Sequence, residues 1–340
     1  MIGGWLTPRL LLTATAGIWG MLVLLIVLTI TVHAVRVTRA RRREELDAVA
    51  RPLVASLVLA DSEAGTGGGN ATGENRDIAT HQALLQARGA LGDRVDERLM
   101  ALLDVVRGEG RERLVAMLVR RGHPQRLRRR AGSHRSATRA GAVRRLGLLG
   151  LPVDAPLIRE ATSDRSAIVR SVAARALAAY PEPLSVHAIL SLVREDRAIP
   201  ALVLMNALVH IGQQEGDCLA VIRAGLDDPA PRVRAACARV LGELTSAVDG
   251  DHLAHLVDHD PAPSVRLAAA TALTRVGTAA HVPSLLGAAS SVWAPVRVEC
   301  VRALQSLPPA VSADALAEIA SHQDPVLAAV LAPTSSRTEP

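Results

Sequence analysis

The chain has 340 residues, 49% of them hydrophobic, yet it contains no Phe, one Tyr and three Trp. Its core must therefore be packed by Leu, Val and Ala, which suits helices better than strands and predicts an all-α fold. The formal charge is +6 and every basic residue is Arg, which excludes a phosphate-binding loop that needs a lysine.

The first predicted element is a helix over residues 10–35, which carry no Asp, Glu, Lys or Arg. As an α-helix this segment would reach ~39 Å, enough to cross a bilayer with some tilt. A cleaved signal peptide is the alternative, because Val32, His33 and Ala34 offer cleavage-like positions. A secretory apolar region is shorter and carries its charge in front. We therefore predict an uncleaved transmembrane helix behind a short extracytoplasmic N-terminus, residues 1–9.

The arginines that flank this helix predict its orientation. Arg9 precedes the helix, whereas five arginines follow within eight residues. Positive charge collects on the cytoplasmic side of membrane helices. We therefore predict a single-pass protein of the cell membrane, with the N-terminus outside and the remainder in the cytoplasm. The five arginines are Arg36, Arg39, Arg41, Arg42 and Arg43.

Three segments with different compositions follow. Residues 36–61 form a basic juxtamembrane region with helical spacing that Pro52 interrupts. Residues 62–76 have several glycines and almost nothing to bury, which is typical of a flexible linker. Residues 77–132 regain helical periodicity and predict a helical lead-in that contains a basic segment.

A repeat dominates the rest of the chain. The stretch DPAPRVRAACARVLGEL (228–244) recurs as DPAPSVRLAAATALTRV (260–276). The equivalent arginine position falls at residues 139, 170, 202, 234, 266 and 297, at separations of 31 or 32 residues. Such a fixed period is typical of a solenoid, in which each unit buries its apolar face against its neighbours. We predict about six units over residues 133–332 and a tail, residues 333–340.

The sequence of each unit predicts two short helices. The second has apolar or small residues at the spacing of one helical face, as in Val233, Ala236 and Val240. An Asp stands six residues ahead of the repeat arginine, within capping distance of the helix start. A proline such as Pro231 suits the first turn.

The pattern DPAPxVRxAxAxxL behind a short helix resembles the HEAT repeat, especially the compact bacterial form also seen in phycobilin lyase-type proteins. The resemblance implies an α-solenoid of HEAT-like helix pairs behind the transmembrane helix. It also implies a structural ladder in which aspartates and arginines of successive repeats pair. The matching residues are Asp164, Arg170, Asp228, Arg234, Asp260, Arg266 and Arg297. We expect the ladder to break at Ala201-Leu202, at Ser291 and at Ser133.

Catalytic signatures are absent from the sequence. The resemblance to HEAT-like di-iron hydroxylases would imply repeats that carry His-Glu pairs. None of the eleven histidines here is followed directly by a Glu. His252, His255 and His259 are spaced for one helix face, but the same helix must pack through its leucines, so we assign them to a solvated polar face. We predict no metal, no cofactor and no enzyme activity. The three cysteines, in apolar helical patterns, are predicted to be buried residues of a reducing compartment.

The basic segment, residues 107–145, holds thirteen arginines against two glutamates. Three interpretations stay open: a solvated face on helices, attraction to the anionic cytoplasmic leaflet, and binding of an acidic protein or nucleic acid. Nucleic acid is the weaker branch, because single-strand binders interleave aromatic residues. The candidate residues for an anionic partner are Arg120, Arg121, Arg126, Arg128, Arg129 and Arg130.

The functional hypothesis is a membrane-anchored scaffold or adaptor whose array offers an extended surface to a protein partner. Anchored HEAT proteins of bacteria that are similar to this chain look like companions of membrane enzymes, glycosyltransferases among them. The alternatives are binding of anionic lipid or nucleic acid through residues 120–130, and a lyase- or metal-type HEAT enzyme.

Overall fold

The computed structural model describes residues 8–64, 71–195, 198–214 and 216–331, and within these ranges the chain forms helices and no β-strand. The all-α solenoid predicted from the sequence is confirmed. The helices are α1 Pro8–Ala64, α2 Ala71–Gln86, α3 Gly89–Leu102, α4 Gly108–Arg120, α5 His123–Ala131, α6 Ser136–Leu149, α7 Ala155–Glu160, α8 Ala167–Leu177, α9 Pro183–Glu195, α10 Ala201–Gly212, α11 Gly216–Ala224, α12 Pro231–Glu243, α13 Gly250–His259, α14 Pro263–Val276, α15 Val282–Ala288, α16 Ala294–Ser306, α17 Pro309–Ser321 and α18 Pro325–Leu331.

The chain divides into two compact units, one up to His123 and one from Pro124 onwards. In the first unit, α1 packs against α2, α3 and α4. The buried side chains are aliphatic, among them Val54, Leu84 and Leu99. Asp47 of α1 is also buried, and its carboxylate accepts hydrogen bonds from two arginines of α3, Arg94 and Arg98.

Two features of the first unit differ from the prediction. Helix α1 continues through Pro52, although proline removes one helical hydrogen bond. The carbonyl of Ala48 is the one that lacks a helical hydrogen bond, because Pro52 has no N–H to donate to it. Ala48 and Arg51 are exposed, so this carbonyl stays accessible to water. Helices also cover both ends of the predicted linker 62–76, since α1 ends at Ala64 and α2 begins at Ala71. The central residues of that linker lie outside the described ranges.

The second unit is built from helix pairs. We call α7, α9, α11, α13, α15 and α17 the first helices, and α8, α10, α12, α14, α16 and α18 the second helices, to which α6 is added. Each first helix packs on the second helix of its own pair, and each second helix packs on the next one along the chain. The interface between them is aliphatic, and the single tyrosine, Tyr180, is buried with its hydroxyl donating to the carbonyl of Leu146 at 3.0 Å.

Small residues let the second helices approach closely at two equivalent places. A Cβ atom added to Gly147 would lie 2.5 Å from the Cβ of Ala176, and one added to Gly242 would lie 2.7 Å from the Cβ of Ala272. Glycine is therefore required at these contacts for steric reasons. Each pair joins two consecutive second helices, which brings the repeats into a tight row.

Candidate functional site

Arginines of the second helices connect consecutive repeats. The Nε and Nη2 atoms of Arg234 donate to the two carboxylate oxygens of Asp260 at 2.7 and 2.9 Å. The Nη1 atom of the same guanidinium donates to the carbonyl of Asp228 at 2.8 Å, within its own repeat. The Asp260 side chain is 3% exposed and that of Arg234 13%. One planar cation thus holds the loops of two neighbouring repeats at a fixed distance.

The same arrangement occurs at both ends of the array. Arg139 donates to both carboxylate oxygens of Asp164 at 2.7 and 2.8 Å and to the carbonyl of Ser133 at 2.9 Å. Arg297 donates to Asp324 at 2.8 Å and to the carbonyl of Ser291 at 2.9 Å. Hydrogen bonding to the Arg139 guanidinium holds the pKa of Asp164 below its ordinary value. We call these pairs, with Arg170 and Asp228, the arginine ladder.

The ladder aspartates have a second role that differs from the predicted cap. The Oδ1 atom of Asp228 accepts a hydrogen bond from the backbone N–H of Ala230 at 2.8 Å, and Asp260 does the same with Ala262. Ala230 and Ala262 are themselves the N-cap residues of α12 and α14. Each Asp therefore closes the loop that leads into the helix, and its carboxylate does not cap the first helical turn.

Two of the expected interruptions have definite structural consequences. Leu202 stands in place of an arginine and is 65% exposed, and Asp228 instead receives a hydrogen bond from Arg194 of the first helix α9. Ser291 stands in place of an aspartate, and Arg266 instead donates from Nε to the carbonyl of Val257 at 2.8 Å. Ser133 and Ser291 both still provide their carbonyls to the arginines of their own repeats, Arg139 and Arg297.

Two ladder residues, Asp324 and Arg139, were not among the predicted ladder residues, although position 139 belongs to the repeat series. Asp324 lies 64 residues after Asp260, which is twice the repeat period, but the missing aspartate between them hid the register. Arg139 follows Thr138, whereas four of the other repeats have Val before the equivalent position. The period predicts the equivalent position of both residues.

A second set of ion pairs joins α5 and two of the first helices, α7 and α11, to the start of the helix pair that follows each of them. Arg128 donates to Asp154 at 2.6 Å, and Arg223 donates to Asp249 at 2.8 Å. Arg159 makes the corresponding pair with Glu182. These arginines recur at separations of 31 and 64 residues. The recurrence signals a structural role that the sequence analysis did not recognise.

Two of the six candidate residues of the basic segment form ion pairs within the protein. The side chain of Arg121 is only 4% exposed and donates to Asp96 within the first unit. Arg128 is the partner of Asp154. The interpretation of these two as an anionic-partner surface is therefore wrong, because their guanidinium groups already neutralise buried carboxylates. Arg120, Arg129 and Arg130 are exposed, as is Arg126.

The second helices carry another arginine column that the sequence analysis missed. Five residues beyond the ladder position stand Arg144 of α6, Arg175 of α8, Arg239 of α12 and Arg302 of α16. Arg144, Arg175 and Arg302 are exposed and Arg239 is half-buried. A cavity of about 180 Å³ opens between α10 and α12 and is lined by aliphatic side chains together with Arg232 and Arg239. We call these four residues the outer arginine column.

The histidines of α13 do not converge. His255 and His259 stack with their ring centroids 4.5 Å apart, and both are exposed. His252 faces Asp227 at 3.2 Å. Within the described residues, no cluster of three or more His, Cys, Asp or Glu side chains could hold a metal ion.

The three cysteines are all buried. Burial raises the pKa of Cys237 and of Cys300 to about 12. A thiol that is not deprotonated near neutral pH is a poor nucleophile and a poor metal ligand.

One helix within the described ranges is long and apolar enough to cross a membrane. It runs from Trp19 to Thr38 with a mean hydropathy of 2.2, and none of it is buried against other parts of the protein. The hydroxyls of Thr29 and Thr31 donate to the carbonyls four residues earlier, Leu25 and Val27, at 2.7 and 2.6 Å. These hydroxyls therefore need no water.

Comparison with known proteins gives the following likenesses. A family model described as HEAT repeats matches residues 186–274 and 251–332. No curated protein matches the chain. Among solved structures, human deoxyhypusine hydroxylase in complex with glycerol is 18% identical, with 78% of this chain and 96% of that chain covered, at a TM-score of 0.29. The complex of CpcE and CpcF of phycocyanin lyase from Nostoc sp. is 20% identical, with 69% and 92% covered, at a TM-score of 0.30. Kap121p is 14% identical, with 86% and 36% covered, at a TM-score of 0.37.

Two of these similar structures are named as enzymes, a hydroxylase and a lyase. The prediction that this chain is not an enzyme is therefore wrong. The prediction relied on the absence of contiguous sequence motifs. Catalytic side chains in a helical array come from separate helices, so they need not form such a motif. At these TM-scores the likenesses assign no activity to this chain.

Proposed function

We propose that this chain, which carries HEAT repeats over residues 186–332, is a membrane-anchored scaffold that holds a protein partner at the inner face of the cell membrane. The observation that carries the proposal is the row of second helices, which pack on one another in chain order. Equivalent positions of different repeats therefore share one surface, as the exposed residues Arg144, Arg175 and Arg302 do. A surface of this kind contacts an extended or large partner through many weak contacts. The partner class that we expect is a membrane enzyme such as a glycosyltransferase.

The apolar helix Trp19–Thr38 supports the anchor. Large apolar side chains along it are exposed, with Leu24 and Leu25 at 67% and 63%, whereas a core helix of a soluble protein would be covered. An exposed apolar surface of this size needs a hydrophobic environment. Arg36, near the end of this helix, and Arg41 and Arg42 after it are exposed and favour a cytoplasmic location for the rest of the chain.

Membrane insertion is tested by extraction of the full chain from native membranes at alkaline pH. We expect the chain to stay with the lipid, and the variant Leu24→Arg/Leu28→Arg to be released, because arginine is costly at the centre of a bilayer. A matched variant, Arg41→Gln/Arg42→Gln, should stay in the membrane. Release of the unchanged chain would contradict the anchor.

The scaffold is tested by crosslinking in native membranes. The full chain is compared with a chain that ends at His123, where the first unit ends. A protein enriched only by the full chain supports the proposal and identifies the partner. Equal enrichment by both chains would contradict a role of the array.

Binding of anionic lipid is the second candidate, and it is supported by the exposure of Arg129 and Arg130 in α5. The variant Arg129→Gln/Arg130→Gln leaves Arg128 and its ion pair intact. If the lipid function is correct, crosslinking of an anionic photoactivatable lipid to α5 should fall in this variant and in high salt. An unchanged yield would contradict it.

A further inference from the structure

The outer arginine column differs from the arginine ladder in its charge balance. Within the described part of the chain, no carboxylate pairs with Arg144, Arg175 or Arg239, whereas Arg302 pairs with Glu299 at 3.2 Å. The second helices, α6 included, contain only two acidic residues, Glu243 and Glu299. Glu243 is already paired with Arg275. The surface from α6 to α12 is therefore positively charged without an internal counter-charge.

The geometry of this surface has a regular spacing. Equivalent residues of packed neighbouring helices are separated by ~8–10 Å. An extended peptide advances ~3.3 Å per residue, so that every third residue meets the next second helix. Carboxylates at this spacing match Arg144 on α6 and Arg175 on α8.

The column is interrupted at α10, where a buried residue, Ala207, stands in the position of an arginine. The cavity of about 180 Å³ lies beside the same helix and is lined by Ile199, Leu204 and Met205 together with Arg232 and Arg239. Its size suits one aliphatic side chain. A surface that alternates guanidinium groups with one cavity lined mainly by aliphatic side chains selects against purely charged polymers.

We infer that the second-helix surface from α6 to α12 binds an extended acidic segment of the protein partner, with carboxylates on Arg144, Arg175 and Arg239 and one apolar side chain in the cavity beside Met205. This inference rests on the proposed scaffold function and specifies the chemistry of its partner. A nucleic-acid backbone offers charges at a regular spacing but no short apolar side chain. A lipid headgroup offers no chain that follows three helices in sequence.

The inference is tested with the full chain in detergent micelles and a short fluorescent peptide that carries Asp at every third position and one leucine between them. We expect the dissociation constant to rise about tenfold or more for the variant Arg175→Gln/Arg239→Gln, because two charge-assisted contacts are lost. The variant Arg302→Gln is the matched control, since it occupies the same column position but is already paired with Glu299. It should bind as the unchanged chain does.

Changes in the peptide test the inference without altering the protein. Replacing its leucine by serine should weaken binding several-fold, and adding salt should weaken it further. Equal binding of a scrambled peptide with the same charge would overturn the inference. So would binding of vesicles of anionic phospholipid, or of a single-stranded oligonucleotide, that depends on Arg175 and Arg239 while the peptide does not bind.

The failure of this inference is distinguishable from failure of the scaffold. If the crosslinked partner is still enriched by the full chain carrying Arg175→Gln/Arg239→Gln, the scaffold stands and the acidic-segment inference is overturned. If no partner depends on the array, the scaffold itself is contradicted.

Discussion

Arg234 and Asp260 lie 26 residues apart in the chain, yet the guanidinium of one and the carboxylate of the other share two hydrogen bonds across a repeat boundary. The same guanidinium also binds the backbone of its own repeat, at the carbonyl of Asp228. Because one side chain belongs to both repeats, its loss affects the interface between them and not a single helix.

We therefore expect Arg234→Leu to lower the free energy of unfolding by about 3 kcal/mol, since it leaves the carboxylate of Asp260 buried without its cation. Arg266→Leu is the control, because Arg266 holds the equivalent position but donates to a backbone carbonyl. Its loss should cost about 1 kcal/mol. Urea unfolding followed by circular dichroism measures both values, and equal losses would contradict the role of the carboxylate.

Restoring an aspartate at position 291 of the arginine ladder is expected to raise the free energy of unfolding. In Ser291→Asp the new carboxylate stands 25 residues after Arg266, the same separation as between Arg139 and Asp164. The Asp should accept from Arg266 and from the backbone N–H of Trp293, and stabilise the array by about 1 kcal/mol. Ser290→Asp, at an exposed neighbouring position, should have little effect. A Ser291→Asp variant that is no more stable than the control would contradict this prediction.

The close approach of α6 and α8 predicts opposite effects of alanine at two glycines of one helix. Gly147→Ala should destabilise the array by about 2 kcal/mol, because its Cβ would meet Ala176. Gly141→Ala places its Cβ where no atom lies within 4 Å. This variant should stabilise helix α6 by about 0.5 kcal/mol, since alanine is the better helix former. Thermal unfolding of the two variants measures the difference, and destabilisation by both would refute the steric argument.

Asp47 predicts a pH-dependent stability of the first unit. Hydrogen bonds from Arg98 and Arg94 hold the pKa of Asp47 well below its ordinary value. A depressed carboxyl pKa contributes stability that is present above the unfolded pKa of ~4 and is lost as the pH falls through the folded pKa. The unchanged chain should therefore exceed Asp47→Asn in stability at neutral pH, and this difference should shrink below about pH 4.

Hydrogen exchange of the α3 amides measures this difference on the full chain in detergent micelles. Glu45→Gln, at an exposed position of the same helix, is the control and should exchange as the unchanged chain does. A difference between the unchanged chain and Asp47→Asn that does not vary with pH would contradict the assignment to Asp47.

The buried cysteines predict slow alkylation. Because burial raises the pKa of Cys237 and Cys300 to about 12, these thiols should react with iodoacetamide at pH 8 on the order of a thousandfold more slowly than in urea. Mass spectrometry of each cysteine peptide gives the rates. A Ser290→Cys substitution introduces an exposed thiol as the control. Rapid labelling of Cys237 in the native chain would show that the second helices open readily.

Much of the fold could be predicted because the repeat period is a one-dimensional signal. Asp228 and Asp260 occur at the same position of neighbouring units, and units that bury their faces only against neighbours must stack. The surface could not be predicted in the same way. The clustering of Arg121 and Arg128 with exposed arginines suggested one basic surface, but each lies against a carboxylate from a different helix, Asp96 and Asp154.

The sequence by itself determined the all-helical composition, the repeat period and the residues that are equivalent between repeats, because these depend on local spacing along the chain. Only the tertiary structure decided which arginine meets which carboxylate. Asp228 receives Arg194 from a first helix where Leu202 leaves the ladder position empty, and Arg266 bonds to a backbone carbonyl where Ser291 offers no carboxylate. The physical reason is that an ion pair depends on the distance between side chains from separate helices, and packing sets that distance.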